Sequence, residues 1–346
     1  MRAARKLGKT EREDRYYGML AGAAAARVLE SAVAVGLPQL LARGRSLGPR
    51  EIVAGLKLDA QRAWKWFGLL EQMELIERDA GKRYRAGPLM RALFSADGTL
   101  GFFYRDFLRY FNVVMGFDAA AVRRGAPGPT VPYPPKDPAD VALLEAWMRT
   151  TAHETLQRIE KAVKLDGVSR LLDVAGGDGT MAIEQARRHP RLRLTVFNLP
   201  ASAALARKNV KAAGLAGRID VVAGDFRRDP LPGMEAGGAG KGGYDMVRFS
   251  RVLADWPEDV CRMLLAKAHA ALRPRGRLVI CEPLADDNPE LAFAWHFSYL
   301  PYDDFGVGVY KPLSAYRAML ADAGFKRPSV KRRNRDSIHS VIVARK

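Results

Sequence analysis

Cysteine is nearly absent: Cys261 and Cys281 are the only two in 346 residues. That excludes a disulfide framework, a CxxC redox pair and a cysteine-built zinc site, and it suits a reducing cytoplasm. No run of 18 uncharged apolar residues occurs, so no segment reads as a membrane-spanning helix. Acids are in deficit, 38 Asp+Glu against 56 Lys+Arg, leaving a net charge of +18. Yet 48% of residues are apolar, too many for a disordered polyelectrolyte and enough for a sizeable core. The length suits about two domains.

The N-terminus has some features of a signal peptide, with Arg2, Arg5, Lys6 and Lys9 ahead of Met19–Ala26. Glu11, Glu13, Asp14, Arg27 and Glu30 interrupt that pattern, and an ordinary first helix is expected. Positive charge concentrates from Lys326 to Lys346, eight basic residues against Asp336. Attraction to nucleic acid, an acidic substrate or an anionic membrane surface is one reading. A solvated basic face is the other. No aromatic residues interleave the cluster as a single-strand groove requires. No nucleic-acid partner is therefore expected, while peripheral membrane contact stays open.

Residues 16–94 read as helices ending in a hairpin. Ser46 or Gly48 before Pro49 marks a helix start. Asp59 begins another helix, whose Trp64, Phe67, Leu70 and Met73 recur every three residues as one apolar stripe. Ile76–Arg78, the turn Asp79-Ala80-Gly81-Lys82 and Arg83–Arg85 complete the outline of a winged helix-turn-helix. The polar positions of its second helix (Gln61, Arg62, Lys65, Glu71, Gln72) are mixed in sign, unlike a base-reading helix. With Gly22 and Ala23–Ala26 nearby, helix packing between subunits explains the module more economically. Residues 1–98 are thus a helical winged-helix dimerisation domain, and a homodimer is expected.

Residues 99–164 read as a helical connector and substrate-pocket segment. Aromatics crowd its start, and Phe107, Tyr110 and Phe111 are candidates to line a pocket for a flat apolar ligand. From Arg170 strands alternate with helices. Strand candidates are 170–174, 192–197, 219–222, 244–249 and 277–282, followed by 329–333 and 339–344 near the end. Residues 165–346 are therefore α/β, a mostly parallel, doubly wound sheet with helices on both faces.

Leu171-Leu172-Asp173-Val174-Ala175-Gly176-Gly177-Asp178-Gly179-Thr180 lies where the first strand turns into a helix. Gly176, Gly177 and Gly179 permit positive φ and let backbone amides approach a ligand. Gly177–Ala182 also fits GxGxxA, so a nicotinamide cofactor has to be weighed. Asp173 would repel its pyrophosphate, and Asn198 stands where a ribose-binding acid is expected. S-adenosyl-L-methionine fits better, because it has no phosphate and carries an ammonium and a sulfonium. After the third strand, Asp225 can accept from an adenine amine and Phe226 can stack on it.

With these residues in place, the chain resembles the class I methyltransferases of the small-molecule O-methyltransferase superfamily. The resemblance spans nearly the whole chain and points in particular to the bacteriochlorophyllide C-20 methyltransferase branch. The residues behind the narrower match are Val131–Pro135, Lys164–Val168, Asn198-Leu199-Pro200, and the span from His296 through Phe305 and Lys311 to Tyr316. It implies a winged-helix dimerisation domain before a Rossmann-like domain, with Asn198 and Leu199 at the cofactor's ribose. The superfamily places a His before Asp-Trp as general base, and the C-20 branch a Tyr. Ala254 stands there in this chain.

His296 matches a histidine that faces substrate in the C-20 branch, which implies a base or a ligand to a macrocycle's magnesium. No metal site within the protein itself is expected. Tyr299 is a second candidate for proton removal, Arg251 for positioning, and Ala254 and Trp295 for lining the substrate. A carbon nucleophile has no hydroxyl proton to lose before attack, so Ala254 favours C-methylation of a planar, apolar substrate such as a tetrapyrrole. The alternatives are O- or N-methylation of an aromatic or polyene metabolite, and a homologue that binds the cofactor without transferring methyl.

Overall fold

A computed structural model describes residues 8–94, 134–135, 137–234, 243–299, 310–334 and 337–346. The chain divides into two compact units, Met1–Gly116 and Phe117–Lys346.

The first unit strings α1 (Lys9–Ala34), α2 (Leu37–Leu40), α3 (Pro49–Gly55) and α4 (Ala60–Gln72) before an antiparallel pair, β1 (Ile76–Arg78) and β2 (Tyr84–Ala86). α5 (Pro88–Leu93) follows. Gly48 caps α3 ahead of Pro49, and the Asp59 carboxylate caps α4 by accepting from the Arg62 amide at 2.9 Å. Leu29, Leu37, Leu41, Ile52, Phe67, Leu70 and Tyr84 form this unit's core. The apolar stripe of α4 is narrower than its three-residue spacing predicts. Ala63, Phe67 and Leu70 are buried, but Trp64 is 52% exposed. Three residues turn a helix by 300°, so four positions spaced by three drift half-way round it.

The second unit is a seven-stranded sheet in the order β5-β4-β3-β6-β7-β9-β8, flanked by helices. Its strands are β3 (Arg170–Val174), β4 (Arg193–Asn198), β5 (Ile219–Ala223), β6 (Tyr244–Ser250), β7 (Leu272–Glu282), β8 (Lys326–Lys331) and β9 (Ser340–Arg345). The first five are parallel, and β9 runs antiparallel to β7 and β8. This is the doubly wound α/β architecture expected from the alternation. β3 and β6 are buried almost throughout, with Leu171, Leu172, Val174, Val247 and Phe249 fully enclosed.

Two helices from the supposed connector, α6 (Pro138–Thr150) and α7 (Ala152–Ala162), pack onto this sheet's own elements. Strand order reverses between β4 and β6 around β3, leaving a crevice at the carboxyl ends of these strands. Half of the terminal basic cluster is tied down locally. Arg332 pairs with Asp286 and Asp287, and Arg333 donates to the Asp287 carbonyl. Lys331 and Lys346 donate to the carbonyls of Lys161 and Leu272. No single described helix is long and apolar enough to cross a membrane.

Candidate active site

The loop after β3 turns sharply into α8 (Thr180–Arg188). Gly177 and Gly179 take φ of +60° and +81°, conformations glycine adopts without penalty. Ala175 also sits at φ +55°, a strained position for a residue with a Cβ. Gly176 is required by close approach, because a Cβ there would lie 2.7 Å from the Asp173 carboxylate.

Asp173 does not present a free carboxylate to a ligand. Arg248, beside it in register on β6, grips both of its oxygens, with Nε donating to Oδ1 at 2.9 Å and Nη2 to Oδ2. Its third nitrogen donates to Gln185 at 2.9 Å, and Arg248 is fully buried. The charge that was to select an ammonium is therefore neutralised inside the sheet. A lone arginine in the apolar run Tyr-Asp-Met-Val-Arg-Phe-Ser was the signal, since a buried guanidinium needs an acid.

Asn198 also turns inward. Its amide nitrogen donates to the Gly177 carbonyl at 3.3 Å and its oxygen accepts from the Leu199 amide at 2.8 Å, so it braces the loop. Leu199 packs against the main core and precedes α9 (Pro200–Ala212). Asp225 accepts from Arg227 through both oxygens, each at 3.1 Å. Burial opposes its charge, but Arg227 outweighs that and holds the carboxyl below the usual range. Phe226 is buried beside Trp256, ring centroids 6.1 Å apart and edge-on, rather than offering an open face. Lys267, unremarked in the sequence, fastens this turn by donating to the carbonyls of Phe226, Arg227 and Asp229.

Arg251 is a brace. It carries φ +58°, and its Nη1 donates to the Met148 carbonyl at 3.0 Å and to Thr151 Oγ1 at 2.6 Å, joining the end of β6 to α6. Burial lowers its pKa below the usual arginine value. The turn that follows hangs on Glu282, whose Oε1 accepts from the amides of Val252 and Leu253 at 2.7 and 2.8 Å. Glu282 is fully enclosed, and burial pushes its carboxyl up to about 8. Lys311, equally enclosed, donates to the carbonyls of Leu253 and Trp256.

This turn carries Ala254 into a small apolar cluster with Ala292, Tyr310, Ala285 and Trp295. Trp295, on α10 (Pro289–Tyr299), stacks on Tyr310 at 5.9 Å and tilts against Trp147 of α6 at 5.8 Å. His296 is there too, but its Nε2 accepts from the Tyr310 backbone amide at 3.1 Å. The structure thus brings Ala254, Trp295 and His296 together and takes up one of the two imidazole nitrogens. Phe107, Tyr110 and Phe111 lie outside the described residues, as does the Tyr299 side chain.

The O-methyltransferase domain family model matches residues 128–326, more than half of the chain. The chain belongs to this family. It is 32% identical to the N,N-dimethyltransferase OxyT of Streptomyces rimosus over 317 residues, 87% of each chain. It is 31% identical to the bacteriochlorophyllide d C-20 methyltransferase of Chlorobaculum tepidum over 198 residues, covering 57% of this chain and 56% of that one. Among solved structures, the S-adenosylmethionine-dependent methyltransferase SibL in its apo form matches with a TM-score of 0.68 at 24% identity. That match covers 94% of this chain and 97% of the other. PigF with SAH matches at 0.66 and 22% identity, over 98% and 100%. At those identities the structures speak to the fold, which is the family's. The C-20 branch suggested by Asn198-Leu199-Pro200 is one relative among several and is not singled out.

Proposed function

We propose that this protein transfers the methyl group of S-adenosyl-L-methionine to a carbon or nitrogen atom of a planar, largely apolar secondary metabolite. A meso carbon of a tetrapyrrole and an aryl amine are the two nucleophiles this reading favours. The cradle suits the donor: a Cβ at Gly176 or Gly177 would collide with the Asp173 or Glu145 carboxylate, Gly179 takes a left-handed turn, and the buried Glu145 carboxylate beside the loop disfavours phosphate. When bound, S-adenosyl-L-methionine supplies an electrophilic methyl on a sulfonium. The chain's own residues hold the glycine loop, align the acceptor and exclude water.

The observation that carries the reading is the character of the acceptor side. Ala254 sits where the superfamily resemblance puts a base, in an apolar cluster, and the neighbouring His296 Nε2 is engaged by a backbone amide. A phenol that must lose its proton during attack would forgo base assistance typically worth ~10²–10⁴-fold. A carbon nucleophile sheds its proton after attack, and an aryl amine attacks with a free lone pair. The names of two relatives, an N,N-dimethyltransferase and a C-20 methyltransferase, accord with this.

A homodimer through the first unit belongs to the same proposal. Tyr16, Tyr17, Met19 and Leu20 on α1 are each at least half exposed, beside the small residues Gly22 and Ala23–Ala26.

The test is transfer of a radioactive methyl to matched panels of tetrapyrroles, aryl amines and phenols. Label should appear on carbon or nitrogen acceptors. Turnover confined to phenols overturns the proposal, and tight donor binding with no labelled product favours the non-transferring homologue.

A further inference from the structure

Three buried acids surround the glycine loop, and two of them have an arginine. Asp173 is matched by Arg248, and Asp178 by Arg149 at 2.8 Å. The third is Glu145, on α6. It is buried, and among the described residues it makes no ion pair. Its Oε2 accepts from the Asp178 amide at 3.0 Å, which places the carboxylate on the loop itself. It lies so close to Gly177 that a Cβ there would be 2.7 Å from Oε2. Arg251 is the cation nearest in effect, but its Nη1 is spent on Met148 and Thr151, so any ligand cradled by Gly177 meets a buried carboxylate that no described residue pairs directly.

We propose that Glu145, not Asp173, is the specificity residue that receives the α-ammonium of the methyl donor. This rests on the donor reading above and refines it. An acid enclosed without a counter-ion is costly, and a cationic ligand removes that cost on binding. Burial, reinforced by the charge of Asp178, raises the Glu145 carboxyl's pKa despite hydrogen bonds with Ser202 and the Asp178 amide and the charge of Arg251, as an acid with no direct ion pair requires. Phosphate-bearing cofactors meet the opposite situation and are repelled. Asp173 and Asp178 serve the site through their arginines, by fixing the shape of the loop.

The experiment is calorimetric titration of the full chain with three probes. These are S-adenosylhomocysteine, its deaminated analogue with hydrogen in place of the ammonium, and 5′-methylthioadenosine, which lacks the amino-acid end. In the wild type, S-adenosylhomocysteine should bind about tenfold or more tightly than the deaminated analogue, as a charge-assisted hydrogen bond warrants. Glu145→Gln should erase that preference while changing affinity for 5′-methylthioadenosine less than about twofold.

Equal wild-type affinity for the first two probes overturns the assignment, and this arm needs no variant. An even loss across all three probes in Glu145→Gln also overturns it, since that is what a merely structural role would produce. A wild-type chain that binds none of them overturns the donor reading and this assignment with it.

Discussion

The donor and acceptor sides of the crevice are built on opposite principles. Around the glycine loop, charge is plentiful and mostly cancelled internally: Asp173 by Arg248, Asp178 by Arg149 and Asp225 by Arg227. Around Ala254, the wall is alanine and aromatic, and the polar groups are turned away to hold backbone. The donor side therefore works through a rigid, charge-paired frame that shapes a loop. On the function proposed above, the acceptor side works through surface and exclusion of water, and its chemistry comes from the nucleophile. A fold shared by a family can keep the first while the second changes with substrate.

The harshest way to break this contrast is to unpair the frame. Arg248→Met leaves Asp173 buried and uncompensated, and urea denaturation should show about 3–5 kcal/mol of lost stability. An equivalent loss from Ala254→Ser would erase the distinction between the two sides.

The pH dependence of stability probes the turn beneath the acceptor side. Between about pH 4.5 and 8 the folded chain keeps a proton on Glu282 that the unfolded chain has released. Stability should therefore fall as pH rises through that window, with a slope contribution of up to about 1.4 kcal/mol per pH unit. Glu282→Gln, which keeps the amide contacts through its oxygen, should flatten the profile. His339 acts in the other direction. Burial pushes it down to about 3, so its contribution is intact above about 6.5 and lost as pH falls toward 3.

Ala254→His sharpens the chemical half of the comparison. An imidazole there should raise phenol methylation by about tenfold or more and leave carbon or aryl-amine methylation no faster, at a packing cost of about 1–3 kcal/mol. The smallest effect is expected at Ala175→Gly, which relieves the strained positive φ and should add about 1 kcal/mol in thermal unfolding.

Much of the second unit was legible because parallel buried strands announce themselves as short apolar runs between helical patterns. Five of the seven strands lie within two residues of their expected starts and ends; β8 begins three residues early at Lys326, and β7 begins at Leu272, five residues early, where its register with β6 shifts across Tyr244/Met246. The glycine loop was legible for a similar reason, since glycine spacing encodes backbone shape. Partnerships between distant residues were not. Asp173 reads as an open acid until Arg248, 75 positions later, is placed beside it by strand pairing. Glu145 carries no local signal at all, because its meaning comes from α6 folding over the loop. The same applies to His296, whose imidazole is taken up by an amide 14 residues away.

The account is tested most directly by one single-turnover reaction with ¹³C-methyl S-adenosyl-L-methionine and an acceptor bearing both a phenol and an aryl amine. The product is then read by carbon NMR. The labelled methyl should appear on nitrogen. A labelled methyl ether as the main product would contradict the claim that the acceptor side works without a base.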